Sequence, residues 1–393
     1  MALSVANIQL DEYRGYSRFE LCDLQRLVVL VGPNAIGKTN IVEALQLLTA
    51  AESFRKPVWQ QLVSWDASTA CIKAQLIDPT EKRDIVCKMT VKDGKRSYEV
   101  NGKKKTAAAV RGTCPSVLFI PDHLQMVKAA SSQRRDMVDS LGSQLSKTYS
   151  VLRSDYATAL RQRNLLIKEE VHNGALFESW DESLAVNGAR LTANRIRLFA
   201  RLAEHTSKIY AQLADGEELT CVYIPSWERF DITGRQRSDA ASTLDLTSWC
   251  SCANDINVDD AAAKIAEASA RLATQELSRK TSLVGPHKDE MAFFIGGRNA
   301  RLFASQGQQR TIVLAIKLAE VELVREFSGA APVLLLDDVM SELDASRRDA
   351  LTQFIDRSTQ AFVTTTNLGY FSSGLLEQAQ VVKLPIEGTR HSY

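Results

Sequence analysis

The stretch Leu27-Val28-Val29-Leu30-Val31-Gly32-Pro33-Asn34-Ala35-Ile36-Gly37-Lys38-Thr39-Asn40-Ile41-Val42-Glu43-Ala44-Leu45-Gln46-Leu47-Leu48 decides how this chain is read. It begins as a short apolar run with the character of a buried strand. Ile41, Leu45 and Leu48 then fall on one face at helical spacing. Between strand and helix, Gly32 to Thr39 fits the pattern G-x-x-x-x-G-K-[ST], a loop that cradles the phosphates of a nucleoside triphosphate. Gly32 and Gly37 let the backbone curl, and Pro33, Asn34, Ala35 and Ile36 complete the cradle ahead of the positive end of the helix. Lys38 is placed to reach the outer phosphates, and the Thr39 hydroxyl to ligate Mg2+.

The chain has 393 residues, enough for two or three domains. Its 45% hydrophobic and 24% charged content is ordinary for a soluble globular protein. With a net charge of +1, any nucleic acid has to be held by a local basic face. Seven cysteines are scattered. Only Cys250 and Cys252 lie close, with a gap that suits neither a zinc knuckle nor a redox pair, so reduced and mostly buried thiols are expected. Asp11 and Glu12 near the start argue against a signal peptide, and no apolar run approaches the ~20 residues of a membrane span. A cytoplasmic protein without a membrane segment is expected.

Residues 1–121 read as β-rich, with strands expected at Ser4 to Leu10, Leu27 to Val31, Ala70 to Leu76, Ile85 to Val91, Ser97 to Val100 and Ser116 to Ile120. Lys103, Lys104 and Lys105 follow the Asn101-Gly102 turn and read either as a solvated hairpin tip or as a phosphate contact. From 122 to 282 the character turns helical. Tyr149, Leu152, Tyr156, Leu160 and Arg163 share one face, and Leu184, Leu191, Leu198, Leu202, Ile209 and Leu213 form another stripe, which predicts an antiparallel helical arm. Arg190, Arg197, Arg201 and Lys208 make a basic edge beside it, either a solvated face or a DNA backbone contact. Residues 215–260 carry no clear pattern, and Ala261 to Ser278 returns to helix. From 283 to 393 an α/β pattern resumes: strands at Met291 to Ile295, Val333 to Leu336 and Ala361 to Thr366, and helices at Gln306 to Phe327 and from Ala345. The fold class is therefore α/β, a P-loop ATPase head of mixed sheet and helices interrupted by the arm.

Val333-Leu334-Leu335-Leu336-Asp337-Asp338 has the form of a second nucleotide motif, a buried strand that delivers carboxylates to the Mg2+ side of the phosphates. Asp337 would hold the metal through water, and Asp338 would orient or deprotonate the attacking water. Glu is commoner at the second position, so slow hydrolysis suited to a timed switch is expected. Ser305-Gln306-Gly307-Gln308 opens a helix as a capping box, which needs no ligand, yet Ser305, Gly307, Gln308 and the exposed helix NH groups also make an anion site. In a chain with the other two motifs, this resembles the signature segment of ABC-type ATPases, and the resemblance implies that it completes the γ-phosphate site of a neighbouring subunit. Ser341-Glu342-Leu343-Asp344 matches their dimer-contact loop.

Taken together the chain resembles the RecF family of bacterial recombination mediators, relatives of the SMC-type ATPases. Asn34 and Asn40, Tyr13-Arg14-Gly15-Tyr16, Ser53-Phe54-Arg55, Leu160-Arg161-Gln162-Arg163-Asn164, Gly285-Pro286-His287-Lys288-Asp289 and Ala304 to Arg310 carry the resemblance. Gly15 stands where that family has Asn, and Pro121-Asp122-His123-Leu124 replaces its Pro-Glu-Asp-Leu. The resemblance implies nucleotide contacts for Arg14, and nucleotide or DNA contacts for Arg55; surface ion pairs are the plain alternative. His287 is expected to be structural. Also implied are ATP and Mg2+ as cofactors, weak ATPase activity, an ATP-dependent homodimer on single-stranded or gapped DNA, RecO and RecR as partners in recombinase loading, and a part in replication, repair and the SOS response. Rival readings are an SMC-like structural clamp, which would have a longer heptad arm, a nuclease-fused P-loop ATPase, a transporter ATPase, which would lack the Arg-rich arm, and a GTPase.

Overall fold

The computed structural model describes residues 3–78, 83–169, 174–229, 256–355, 360–385 and 390–391. Much of the patternless 215–260 stretch, with Cys250 and Cys252, lies outside them. The described chain divides into two compact units, residues 1–124 with 320–393, and residues 125–319. Residues 283–319, which the sequence reading counts with the head, group with the second unit.

The first unit holds the head. Leu27–Val31, Val333–Asp337 and Ala361–Thr365 are apolar along most of their length, as strands covered on both faces must be. They line up in a five-stranded parallel sheet between Gln380–Lys383 at one edge and Ser116–Phe119 at the other, with Leu27–Val31 beside Ala361–Thr365 and Val333–Asp337 next. The helix Lys38–Thr49 leaves the end of Leu27–Val31 and buries Ile41, Val42, Ala44 and Leu45 completely. A seven-stranded antiparallel sheet supplies the other layer, in the order Arg390–His391, Tyr16–Leu21, Ser4–Tyr13, Thr69–Asp78, Arg83–Lys92, Lys95–Val100 and Lys103–Lys105. Its strands alternate: Ala70, Ile72, Ala74 and Leu76 face the core while Cys71, Lys73 and Gln75 do not. The three lysines Lys103–Lys105 are exposed, on a short edge strand where charge blocks further pairing.

The second unit is mainly helical, built from Ser131–Leu145, Lys147–Lys168, Gly174–Leu213 and Val258–Arg279. Gly174–Leu213 runs for 40 residues, about 60 Å at 1.5 Å per residue. It buries Leu184, Leu191, Leu198 and Leu202 and keeps Arg190, Arg197, Arg201 and Lys208 exposed, so the basic edge is a solvent-facing row. A small antiparallel sheet, Leu219–Ile224 with Glu290–Ile295 and Arg298–Asn299, completes the unit.

Charge is buried here in satisfied groups. Arg195 forks onto Asp139 with two bonds of 3.0 Å, and Asp289, fully buried, accepts from the Ser226 N–H at 2.7 Å and from Tyr223. Arg163 reaches Glu276 at 2.7 Å, the Ser282 hydroxyl at 2.7 Å, and Asp181. Such residues hold position because removing either partner would leave a buried charge alone. The cysteine expectation needs correction. The five described cysteines are free, but only Cys87 and Cys114 are buried; Cys22 is exposed, and Cys71 and Cys221 are half-buried. Cys71 and Cys221 lie on antiparallel strands, where a small side chain is tolerated without being core.

Candidate nucleotide site

The loop Gly32 to Thr39 sits where the parallel sheet hands over to its helix. Gly37 adopts φ +101°, and a Cβ there would lie 2.5 Å from the Tyr16 hydroxyl. Gly32 is required for closeness: a Cβ would meet the Leu384 carbonyl at 2.7 Å. The Lys38 ammonium donates to the Gly32 and Pro33 carbonyls, each at 2.8 Å, and so lies folded along the inside of its own loop.

Adjacent strands of the sheet bring the carboxylates to the same place. Thr39 Oγ1 donates to Asp337 Oδ1 at 3.0 Å, and Thr364 Oγ1 donates to the same oxygen at 2.8 Å. Thr364 Oγ1 in turn accepts the Asp338 N–H at 2.9 Å, which anchors Asp338 at a left-handed φ of 52°. The Ser341 hydroxyl bonds the Asp338 carbonyl at 2.8 Å, tying the start of the expected dimer-contact loop to the carboxylate strand. Burial raises the pKa of both carboxyls, and for Asp338 the neighbouring Asp337 charge raises it further. Burial lowers the Lys38 pKa while the two aspartates oppose it. Asp338 Oδ1 is buried without a hydrogen-bond partner. The Asp337 carboxylate and the adjacent Thr39 hydroxyl are hard oxygen donors that fit a small divalent cation, beside the Asp338 oxygen that has no partner. The residues present therefore suit Mg2+ with a triphosphate.

Arg14 and Arg55 converge on one residue that sequence reasoning passed over. Glu43 is fully buried, and its carboxylate accepts from Arg14 Nη2 at 2.8 Å, Arg14 Nε at 3.1 Å, the Ser53 hydroxyl at 2.5 Å and Arg55 Nη1 at 3.3 Å. Arg55 also donates to Asn40 Oδ1 at 2.7 Å. Both arginines are thus tethered beside the phosphate loop, Arg14 by a largely covered ion pair and Arg55 by a longer contact made from an exposed position. The available signal was a glutamate on the apolar face of the helix, one turn after Thr39. Thr364 gave no signal, since a threonine near a strand end is unremarkable.

The signature residues belong to the second unit. Ser305 Oγ accepts the Gln308 N–H at 3.2 Å and Gln308 Oε1 accepts the Ser305 N–H at 2.9 Å, so the capping box forms at the start of Gln306–Ser328. Ser305 is exposed, and Gly307 and Gln308 are half-buried. His287 is held at both ring nitrogens: Nδ1 lies 2.5 Å from the Tyr156 hydroxyl and Nε2 lies 3.0 Å from the Ser282 carbonyl. A carbonyl can only accept, so Nε2 carries the proton and Nδ1 accepts from Tyr156. Burial pushes the His287 pKa down to about 4, which makes it a neutral structural residue.

Residues 4–385 match the family model for the RecF/RecN/SMC N terminal domain. The chain is 33% identical over 392 residues to the DNA replication and repair protein RecF of Moorella thermoacetica, covering 98% of this chain and 95% of that one. It is 35% identical over 383 residues to RecF of Thermosynechococcus vestitus, covering 96% and 94%. Among solved structures it is similar to one described as the recombination mediator protein RecF-ATPrS in RecFOR pathway, with TM-score 0.81, 28% identity and 94% of each chain covered. An Smc head bound to the C-winged helix domain of ScpA shares the fold at TM-score 0.51 and 14% identity, covering 99% of this chain and 96% of that one. With the phosphate loop, the paired aspartates and the helical insertion all in place, the chain belongs to the RecF family, an ABC/SMC-like ATPase head interrupted by a helical arm.

Proposed function

We propose that this chain is an ATP-gated DNA-binding protein of replication and recombinational repair, a switch that two copies form around ATP. The observation that carries the reading is the convergence of Lys38, Thr39, Asp337 and Asp338 in one unit, while Ser305, Gly307 and Gln308 belong to the other. Head-to-tail pairing of two copies would give each loop a signature segment from the other. The relatives named for DNA replication and repair, and a similar structure described as RecF-ATPrS, support it.

Within the site, the Lys38 ammonium exchanges the Gly32 and Pro33 carbonyls for phosphate oxygens, so the loop keeps its shape while the charge changes partner. Gly32 to Gly37 supply the cradle, and Arg14, held by Glu43, supports it from the adjoining hairpin. Thr39 and Asp337 would hold Mg2+, which supplies charge neutralisation of the phosphates when bound. Asp338 is the base that accepts a proton from the attacking water; its raised pKa suits that task. Its side chain is one methylene shorter than glutamate, which makes hydrolysis slow. The exposed basic edge of Arg190, Arg197, Arg201 and Lys208 contacts DNA at single-strand gaps or junctions. The proposal extends to RecO and RecR as partners, recombinase loading, an SOS role and a cytoplasmic location, in keeping with the family resemblance. No described helix is long and apolar enough to cross a membrane.

Light scattering at a fixed protein concentration tests this directly. Mass should double with ATP and Mg2+ and stay monomeric with ADP, and Lys38→Ala should remain monomeric throughout. Indifference of the wild type to nucleotide would overturn the switch.

A further inference from the structure

The signature segment has a third partner outside its capping box. Because Gln308 Oε1 is committed to the Ser305 N–H, its amide nitrogen must find an acceptor elsewhere. It donates to Glu217 Oε1 at 2.9 Å. The other oxygen of Glu217 accepts from the Tyr210 hydroxyl at 2.5 Å, and Tyr210 is fully buried in the last turns of the long arm helix. Glu217 itself is fixed by the helix terminus, where its N–H bonds the Ala214 carbonyl at 2.9 Å after a Gly216 at φ +86°. The Ser207 hydroxyl bonds the Leu219 carbonyl at 2.7 Å, so the same turns also clasp the strand beyond.

We propose that Glu217 is the positioning residue of the signature segment: through Gln308 it fixes the Ser305 hydroxyl that completes a neighbouring copy's phosphate site. Through Tyr210 it also joins that serine to the end of the helix carrying the basic edge, two residues beyond Lys208. The chemistry follows from the lone pairs. Ser305 Oγ spends an acceptor site on the Gln308 N–H, which leaves its hydroxyl hydrogen for a phosphate oxygen. A Gln308 side chain free to rotate would release the Ser305 N–H and let the first turn fray. The inference rests on the ATP-dependent pairing proposed above.

The test compares wild type with Glu217→Ala, Glu217→Gln and Tyr210→Phe in sedimentation equilibrium with ATP and Mg2+. Affinity for a fluorescent ATP analogue is read separately, at concentrations too low for pairing. Loss of one such bond should weaken ATP-dependent pairing about five- to tenfold in Glu217→Ala. Glu217→Gln should pair within about twofold of wild type, because its carbonyl still accepts from Gln308 and its amide can donate to Tyr210. Tyr210→Phe should lose about two- to threefold. Nucleotide affinity should be unchanged in all three. Pairing of Glu217→Ala equal to wild type would overturn the proposal, as would Glu217→Gln failing as badly as Glu217→Ala. Wild type that binds no nucleotide or never pairs would remove the parent reading and this proposal together.

Discussion

Thr39 Oγ1 donates to Asp337 Oδ1 at 3.0 Å, a bond closed across 298 residues of chain. Asp337 is buried and its pKa is raised by that burial, so its charge costs stability that a bound cation would offset.

Replacing Asp337 by Asn should therefore stabilise the nucleotide-free protein while ending Mg2+-dependent nucleotide binding. The Asn carbonyl still accepts from Thr39 and Thr364. A carboxyl whose folded pKa is raised favours the folded state below its unfolded pKa and loses that advantage as pH rises. The Asn variant should thus gain over wild type at pH 8, with Tm higher by a few degrees if ~1 kcal/mol is relieved, and gain nothing near pH 4. Thermal melts at the two pH values check this.

The two arginines on Glu43 should differ sharply. Arg14 holds it with two bonds and is largely covered, whereas Arg55 makes one longer contact from a more exposed position. Arg14→Ala leaves the fully buried Glu43 carboxylate without its main partner and should cost about 3 kcal/mol in urea unfolding. Arg55→Ala should cost less than ~1 kcal/mol. Equal costs would show that Glu43 is not the anchor.

His287 gives the acid side of the stability profile. Its folded pKa of about 4 lies below the ordinary histidine value of about 6.5, so the unfolded chain binds the extra proton between them. Its contribution is fully present above about pH 6.5 and is lost as pH falls towards 4. His287→Gln can still donate to Ser282 and accept from Tyr156. It should be less stable at pH 7.5 yet show a shallower loss across that window, measured by urea midpoints at intervals of pH.

The basic edge is exposed, so Arg190, Arg197 and Arg201 replaced together by Ala should leave Tm nearly unchanged. The slope of log K for duplex DNA against log salt should become shallower by about 2 to 3. An unchanged slope would make the row a solvated helix face and nothing more.

Much of the head was legible because its signals are local. Leu27–Val31 is apolar at successive positions, the loop is spelled by Gly32, Gly37, Lys38 and Thr39, and Val333–Asp337 ends in its carboxylate. The arm helix showed its stripe of leucines. The strand Tyr16–Leu21 and the edge strand Gln380–Lys383 were not legible: one is short and mixed in polarity, the other half-buried and brief. Nor could sequence place Glu43 under Arg14, or Thr364 under Asp337, since these meetings are made by sheet order and helix packing and leave no spacing to read. The capping box illustrates a reading that stays double: it forms as an ordinary helix cap, and its exposed serine hydroxyl still suits an anion.

The most direct test of nucleotide control is equilibrium binding of a labelled gapped duplex at fixed salt, with ATP and Mg2+, with ADP, and without nucleotide, alongside Lys38→Ala. Tight binding with ATP alone, lost in the variant, is the predicted result. Binding that ignores nucleotide, or survives in Lys38→Ala, would contradict an ATP-gated switch.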